Sequence, residues 1–114
     1  MSRELPVLDR SVLLASLGDD PDFIKEILEL FDSTTPEIIE SLKKAADEGD
    51  LEAVRRSAHS LKGSSANIGA NALQESMKSI EAACADEDRE AVRERVIDSL
   101  SEYNLLKLEI RGQV

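Results

Sequence analysis

At 114 residues the chain has the length of one domain and can bury roughly two-thirds of its unfolded surface, enough for a single core without staples. Its formal charge of -10 argues against nucleic acid as the partner, because nothing would neutralise a phosphate backbone. The single cysteine, Cys84, allows no internal disulfide, and neither a membrane span of about 18 apolar residues nor a signal-peptide core occurs, so a soluble cytoplasmic protein is expected.

Few aromatics and little β-branched alternation point to helices packed through Leu, Ile, Val and Ala, and nothing reads as a strand. Residues 1–8 read as an N-terminal lead-in, loose as far as Val7, and residues 9–112 as one helical domain. Asp9 to Leu17 forms a short helix with Asp9 as N-cap and Gly18 as a left-handed stop. Asp20-Pro21 then supplies an N-cap followed by proline at the first helical position.

From there Ile24, Ile27, Leu28, Phe31, Ile38, Leu42 and Ala45 continue one stripe to about Glu48. Pro36 falls inside it, and because the register survives, a kinked long helix is favoured over two helices. Gly49 ends this helix and Asp50 starts the next, which runs from Leu51 to about Asn67, with Gly69 as terminator. Asn71 with Gln74 resembles a capping box for a helix whose inward face is Leu73, Met77, Ile80 and Cys84. Met77 and Cys84 read as core residues rather than as reactive groups. The acidic run Asp86 to Asp88 is a turn, and the last helix points Val92, Val96, Leu100, Tyr103 and Leu106 inward before ending near Arg111-Gly112. The fold class expected is all-α: an antiparallel four-helix bundle with a short additional N-terminal helix.

The only histidine, His59, lies on the second long helix in the run AHSLKGSSANIGA. At about 100° per residue, Arg55, Lys62, Gly63 and Ala66 fall within about 60° of it, while the stripe Leu51, Val54, Ala58, Leu61, Ser65 and Ile68 points about 130° away. His59 therefore faces water. No Asp or Glu occurs from Ala53 to Gln74, whereas Arg55, Arg56 and Lys62 do, so the patch suits a group that will carry negative charge. Gly63 costs roughly 1 kcal/mol relative to alanine inside a helix, and on the solvent side its economical role is to leave the imidazole unshaded for a bulky partner. An exposed imidazole is largely neutral at pH 7, and a neutral ring nitrogen is a nucleophile that needs no separate base.

Simpler readings exist for each of these residues. A surface histidine is ordinarily just solvated, Lys62 can be a solubilising charge, and Arg55 and Arg56 can pair with Glu52 or with acids on a neighbouring helix. Metal binding by His59 is disfavoured because no second histidine exists, and a Ser-His-Asp set because no acid lies near it in sequence. Ser64, Ser65 and Asn67 can bond either a phosphate or local backbone, and their roles stay open.

The string His59, Leu61, Lys62, Gly63, small residues and Gly69-Ala70 resembles the signature of histidine-containing phosphotransfer (HPt) domains, and the helix order extends the likeness over nearly the whole chain. The resemblance implies a phosphorelay intermediate: His59 takes a phosphoryl group from a receiver-domain aspartate or a kinase and passes it to another receiver. It implies a phosphocarrier without hydrolytic or kinase activity of its own. In this reading Lys62 stabilises phosphate charge, Gly63 gives access, and Arg55, Arg56, Ser65 and Ala66 form a docking rim. The partners are response-regulator receiver domains and a hybrid or sensor histidine kinase, with no nucleic acid and no membrane, and the protein is expected to be a monomer. No cofactor is expected on this chain, since Mg²⁺ would come from the receiver's acidic pocket. With no internal acid expected near the ring, no group would activate water against a phosphoimidazole. Two other readings are a helical adaptor that docks a signalling partner without being phosphorylated, and a phosphoacceptor domain cut from a larger kinase. Leu13 and Leu17 of the first helix are candidates to be shared between core and partner.

Overall fold

The computed structural model describes residues 5–113; the first four residues of the expected lead-in and Val114 lie outside the described residues. Five helices follow in order: α1 Arg10–Leu17, α2 Pro21–Glu48, α3 Leu51–Ile68, α4 Asn71–Ala85 and α5 Arg89–Gln113. Each of α2 to α5 packs against its neighbours in sequence, and α5 closes the ring onto α2, while α1 leans on α3 and α2. With connections of only a few residues, neighbouring helices must run in opposite directions, giving the antiparallel four-helix bundle.

Local chemistry sets the boundaries. Asp9 accepts a hydrogen bond from the Ser11 amide, Asp20 from the Asp22 amide, Asp50 from the Ala53 amide and Asp88 from the Ala91 amide, so each carboxylate satisfies a donor that the first helical turn leaves unpaired. Gly49 and Gly69 end α2 and α3 in the left-handed region, with φ 71° and 74°. Helix α2 runs unbroken through Pro36, and two residues earlier the Thr34 hydroxyl donates to the Leu30 carbonyl at 2.9 Å.

The stripes predicted from periodicity form the core. Val54, Ala58, Leu61, Ser65 and Ile68 of α3 meet Leu73, Met77, Ile80 and Cys84 of α4, with Leu28, Phe31, Leu42 and Ala45 from α2 and Val92, Val96, Tyr103 and Leu106 from α5. Leu51, Ile24, Ile27, Ile38 and Leu100 pack at its edge.

Three local expectations change. The N-cap of α4 is Ala70, with no side-chain cap bond, so the Asn71–Gln74 capping box does not form; the Asn71 amide instead donates to Asp9 at 3.0 Å, across the fold. Val7 and Leu8 pack against the core, and the Pro6 carbonyl accepts from the Ala72 amide at 3.1 Å, so the lead-in is held from Pro6 onward. Leu13 is fully buried against the bundle and has no surface to share with a partner; Leu17 is half-buried against the core, and the exposed large apolar side chain of α1 is Leu14, at 45% exposure.

The small residues at the end of the motif belong to this packing. The Gly69 carbonyl accepts the Asp9 amide at 2.7 Å, and a Cβ at Gly69 would lie 2.5 Å from the Asp9 carbonyl oxygen. Gly69 therefore answers two demands, a left-handed turn and the close approach of the segment that starts α1.

Candidate functional site

Helix α3 presents His59 from the flank that faces α4. Its buried stripe fixes the rotation of the helix, and the imidazole side chain is left 67% exposed. A second element completes the site: Glu81 of α4 reaches across, placing Oε2 3.3 Å from His59 Nδ1 and Oε1 2.8 Å from Lys62 Nζ. One carboxylate thus holds both the ring and the cation. Glu81 is 20% exposed and Lys62 30%, so the ammonium–carboxylate pair forms a half-sunken floor beneath the exposed ring.

The acid-free patch expected from the sequence is corrected here. The segment from Ala53 to Gln74 does lack acids, but α4 supplies one to the same surface, and Glu52 supplies another from within α3. Arg55 lies 2.6 Å from Glu52, and Arg56 lies 3.7 Å from the same oxygen. Arg55 and Arg56 are exposed and so remain on the surface near His59, with their charge largely balanced by one glutamate.

Burial pushes the Glu81 carboxyl upward, but bonds to Lys62 and then His59 outweigh it and hold Glu81 below its ordinary range. Glu81 is therefore ionised at neutral pH and can only accept hydrogen bonds. In the contact with His59, Nδ1 must carry the proton, and in the neutral ring the lone pair then falls on Nε2. The carboxylate thus orients the ring and leaves its other nitrogen unengaged by Glu81.

The remaining residues separate cleanly. Gly63 is exposed, and a Cβ there would meet nothing within 4 Å, so no contact inside the protein requires glycine. Ala66 is half-buried on the same flank. Ser65 is fully buried, with its hydroxyl making no hydrogen bond, so its assignment to the docking rim is overturned. The 3.6-residue period that turns His59 outward turns Ser65 inward. Ser64 donates to the Leu61 carbonyl at 3.4 Å, a local backbone bond. Cys84 is a buried free thiol, held above its usual range by burial and by Glu81.

A bundle closed on its own core, exposing one anchored imidazole beside a lysine, defines a helical module with an oriented, solvent-facing ring on its flank. The comparisons with known proteins agree. Residues 26–111 match the Hpt domain family. Histidine-containing phosphotransfer protein 2 of Arabidopsis thaliana is 31% identical over 108 residues, covering 90% of this chain and 69% of that protein. The crystal structure of histidine-containing phosphotransfer protein B (HptB) from Pseudomonas aeruginosa PAO1 superimposes with a TM-score of 0.87 at 26% identity, covering 96% of each chain. Histidine-containing phosphotransfer protein ZmHP2 from maize does so with a TM-score of 0.80 at 25% identity, covering 94% of this chain and 82% of that one. The chain belongs to the Hpt domain family, and it is a phosphocarrier, a histidine phosphotransfer intermediate of two-component signalling.

Proposed function

We propose that His59 is the phosphoacceptor and that the group arrives from an aspartyl phosphate on a receiver domain. Nε2 attacks phosphorus, the bond from phosphorus to the aspartate oxygen breaks, and the aspartate leaves as a carboxylate. The ring keeps its Nδ1 proton and carries the positive charge, which Glu81 faces at 3.3 Å. Transfer to a second receiver runs the same step backward. The observation that carries this reading is the exposed ring whose Nδ1 is engaged by an ionised carboxylate, which leaves Nε2 as the reacting atom.

Lys62 supplies positive charge for the phosphoryl oxygens, and Gly63 leaves the approach unobstructed, since its position faces open space. Arg55, Arg56 and Ala66 form the rim around the ring, where the arginines bring charge already shared with Glu52. Phosphoryl transfer needs a metal to gather charge on the phosphate oxygens, and the receiver's acidic pocket is its source. Among the described residues no group of three or more His, Cys, Asp or Glu is placed to hold a metal ion.

The protein works without kinase or hydrolase activity of its own. Glu81, the carboxylate nearest the ring, turns one oxygen to His59 and the other to Lys62. Its partners are receiver domains and a hybrid or sensor histidine kinase. It acts as a monomer, because the four long helices close on one another within one chain. No helix among the described residues is long and apolar enough to cross a membrane, and a single cysteine, which can form no internal disulfide, fits a reducing cytoplasm.

A panel of phosphorylated receivers tests the proposal by timed transfer of label. At least one receiver is expected to load the protein within seconds to minutes and far faster than the others. A panel in which none transfers, while one binds the protein equally well with His59→Gln, would support a docking adaptor instead.

A further inference from the structure

Short turns join α2 to α3, α3 to α4 and α4 to α5, whereas α2 and α5 meet only to close the ring and make the sparsest contact of the four pairs. Two adjoining hollows between them, of about 380 and 80 Å³, share Lys43 and Leu100 and so form one groove. Along α2 it runs from Asp32 to Asp47, about 22 Å at the helical rise of about 1.5 Å per residue. This edge of the bundle lies opposite the α3/α4 edge that carries His59 and Glu81.

The lining is amphipathic. Ile39, Val96, Leu100 and Tyr103 give an apolar floor, and Ile97 stands at the lip with 63% of its surface exposed. Against the whole chain's 14 basic and 24 acidic residues, the groove reverses the balance: Lys43, Arg93, Lys107 and Arg111 face Asp32, Glu40 and Asp47. Glu40 is taken up by Lys43 at 3.2 Å and Asp32 lies 3.8 Å from Arg111. Arg93 and Lys107 make no ion pair among the described residues, and the Lys107 ammonium sits 5.2 Å from the centre of the Tyr103 ring. The Tyr103 hydroxyl is buried without a hydrogen-bond partner, a donor left over beside those cations.

We propose that the α2/α5 groove docks an acidic amphipathic helix of a partner protein, its apolar residues on the floor and its carboxylates toward Arg93 and Lys107. A straight trough of this length between two helices takes a third helix of about 15 residues through anchors at 3/4 spacing. The charge selects an acidic occupant, because the trough is the part of a chain of charge -10 where cations outnumber acids. A second copy of the chain fits less well, since two bodies of charge -10 repel. With the trough and His59 on opposite edges, the protein can stay tethered to one partner while a receiver uses the ring. The surface does not depend on the role of His59.

The test uses two labelled synthetic helices of about 15 residues with the same leucine stripe, one carrying Glu and the other Lys beside it. Binding to the full chain is followed by fluorescence anisotropy and by amide NMR shifts. The Glu peptide is expected to bind roughly tenfold more tightly at low salt, moving amides of residues 32–47 and 93–111 and leaving those around His59 in place. Reversing charge with Arg93→Glu/Lys107→Glu should invert the preference, and Ile97→Ser, at an exposed position, should weaken the Glu peptide about tenfold. Equal binding of the two peptides, shifts centred on Arg55, Arg56 and Lys62, or no saturable binding up to about 1 mM would overturn the proposal. A concentration-dependent dimer that Ile97→Ser abolishes would also overturn it, giving the groove to a second copy.

Discussion

Replacing Gly63 with alanine should move stability and activity in opposite directions. The position is in the middle of α3, it is exposed, and an added Cβ meets nothing within 4 Å. The free protein should therefore gain the helix propensity that glycine forgoes, about 0.5–1 kcal/mol, which for a domain of this size raises Tm by roughly 2–5 °C. In a docked complex the same methyl occupies the approach to His59, one turn away. Overpacking a fitted contact by a methyl costs about 1–3 kcal/mol, which becomes a roughly 5- to 160-fold fall in kcat/KM for phosphotransfer. The assay pairs urea or thermal unfolding with timed transfer from the cognate receiver, and Gly63→Val extends the series toward slower transfer. A Gly63→Ala protein that is more stable and transfers at the wild-type rate would refute access as the reason for the glycine. One that is less stable would refute the claim that the position faces open space.

Other substitutions probe the frame around the site. Gly69→Ala forces a side chain into the left-handed region and against the Asp9 carbonyl, so it should cost more than the roughly 1–2 kcal/mol of the backbone conformation alone, read as a lower unfolding midpoint. Ser65→Ala removes a buried hydroxyl that has no partner; stability should be unchanged or rise by up to about 1 kcal/mol, with phosphotransfer unaffected, which a surface role for Ser65 would not allow. Glu81 is held below its ordinary value of 4.5, so its favourable contribution is complete above that pH and is lost as pH falls through the lower folded-state value. The stability difference between wild type and Glu81→Gln, measured by urea unfolding across pH, should therefore shrink toward zero below about pH 4.5, and a difference that grows on acidification would reverse the assignment.

Much of the fold was legible because its signals are local and repeated. Periodicity placed Val54, Ala58, Leu61 and Ile68 on one buried face and turned His59 away from it, and the aspartates and glycines at the helix ends act as sequence chemistry expects. The misses arise where a distant group competes with a local one. Asn71 lies inside the first turn because Ala70 takes the cap position, and its side-chain nitrogen donates instead to Asp9, brought close by the packing of α1. Ser65 fits both a polar rim and an inward stripe, and burial of the stripe decided between them.

Glu81 was invisible to any reading confined to the segment around His59, since the acid that completes the site lies 22 residues away on the next helix. Counting outward from the tight turn at Gly69-Ala70 would have found it, because an antiparallel hairpin of two helices pairs residues at nearly equal distances from the turn. The pairing of Arg55 and Arg56 with Glu52 was legible in the sequence, whereas the pairing of Lys62 with Glu81 was not, for the same reason. Glu52 of α3 balances the two arginines, and α4 adds the acid that pairs Lys62 and faces the imidazole.

The most direct measurement is the location of the phosphoryl group after transfer from a labelled receiver, read by mass spectrometry and by ³¹P NMR of the intact adduct. The account predicts a single acid-labile, base-stable group on His59, bonded through Nε2, and none on a folded His59→Gln protein. Label retained by that variant, or an adduct at any other residue, would contradict it.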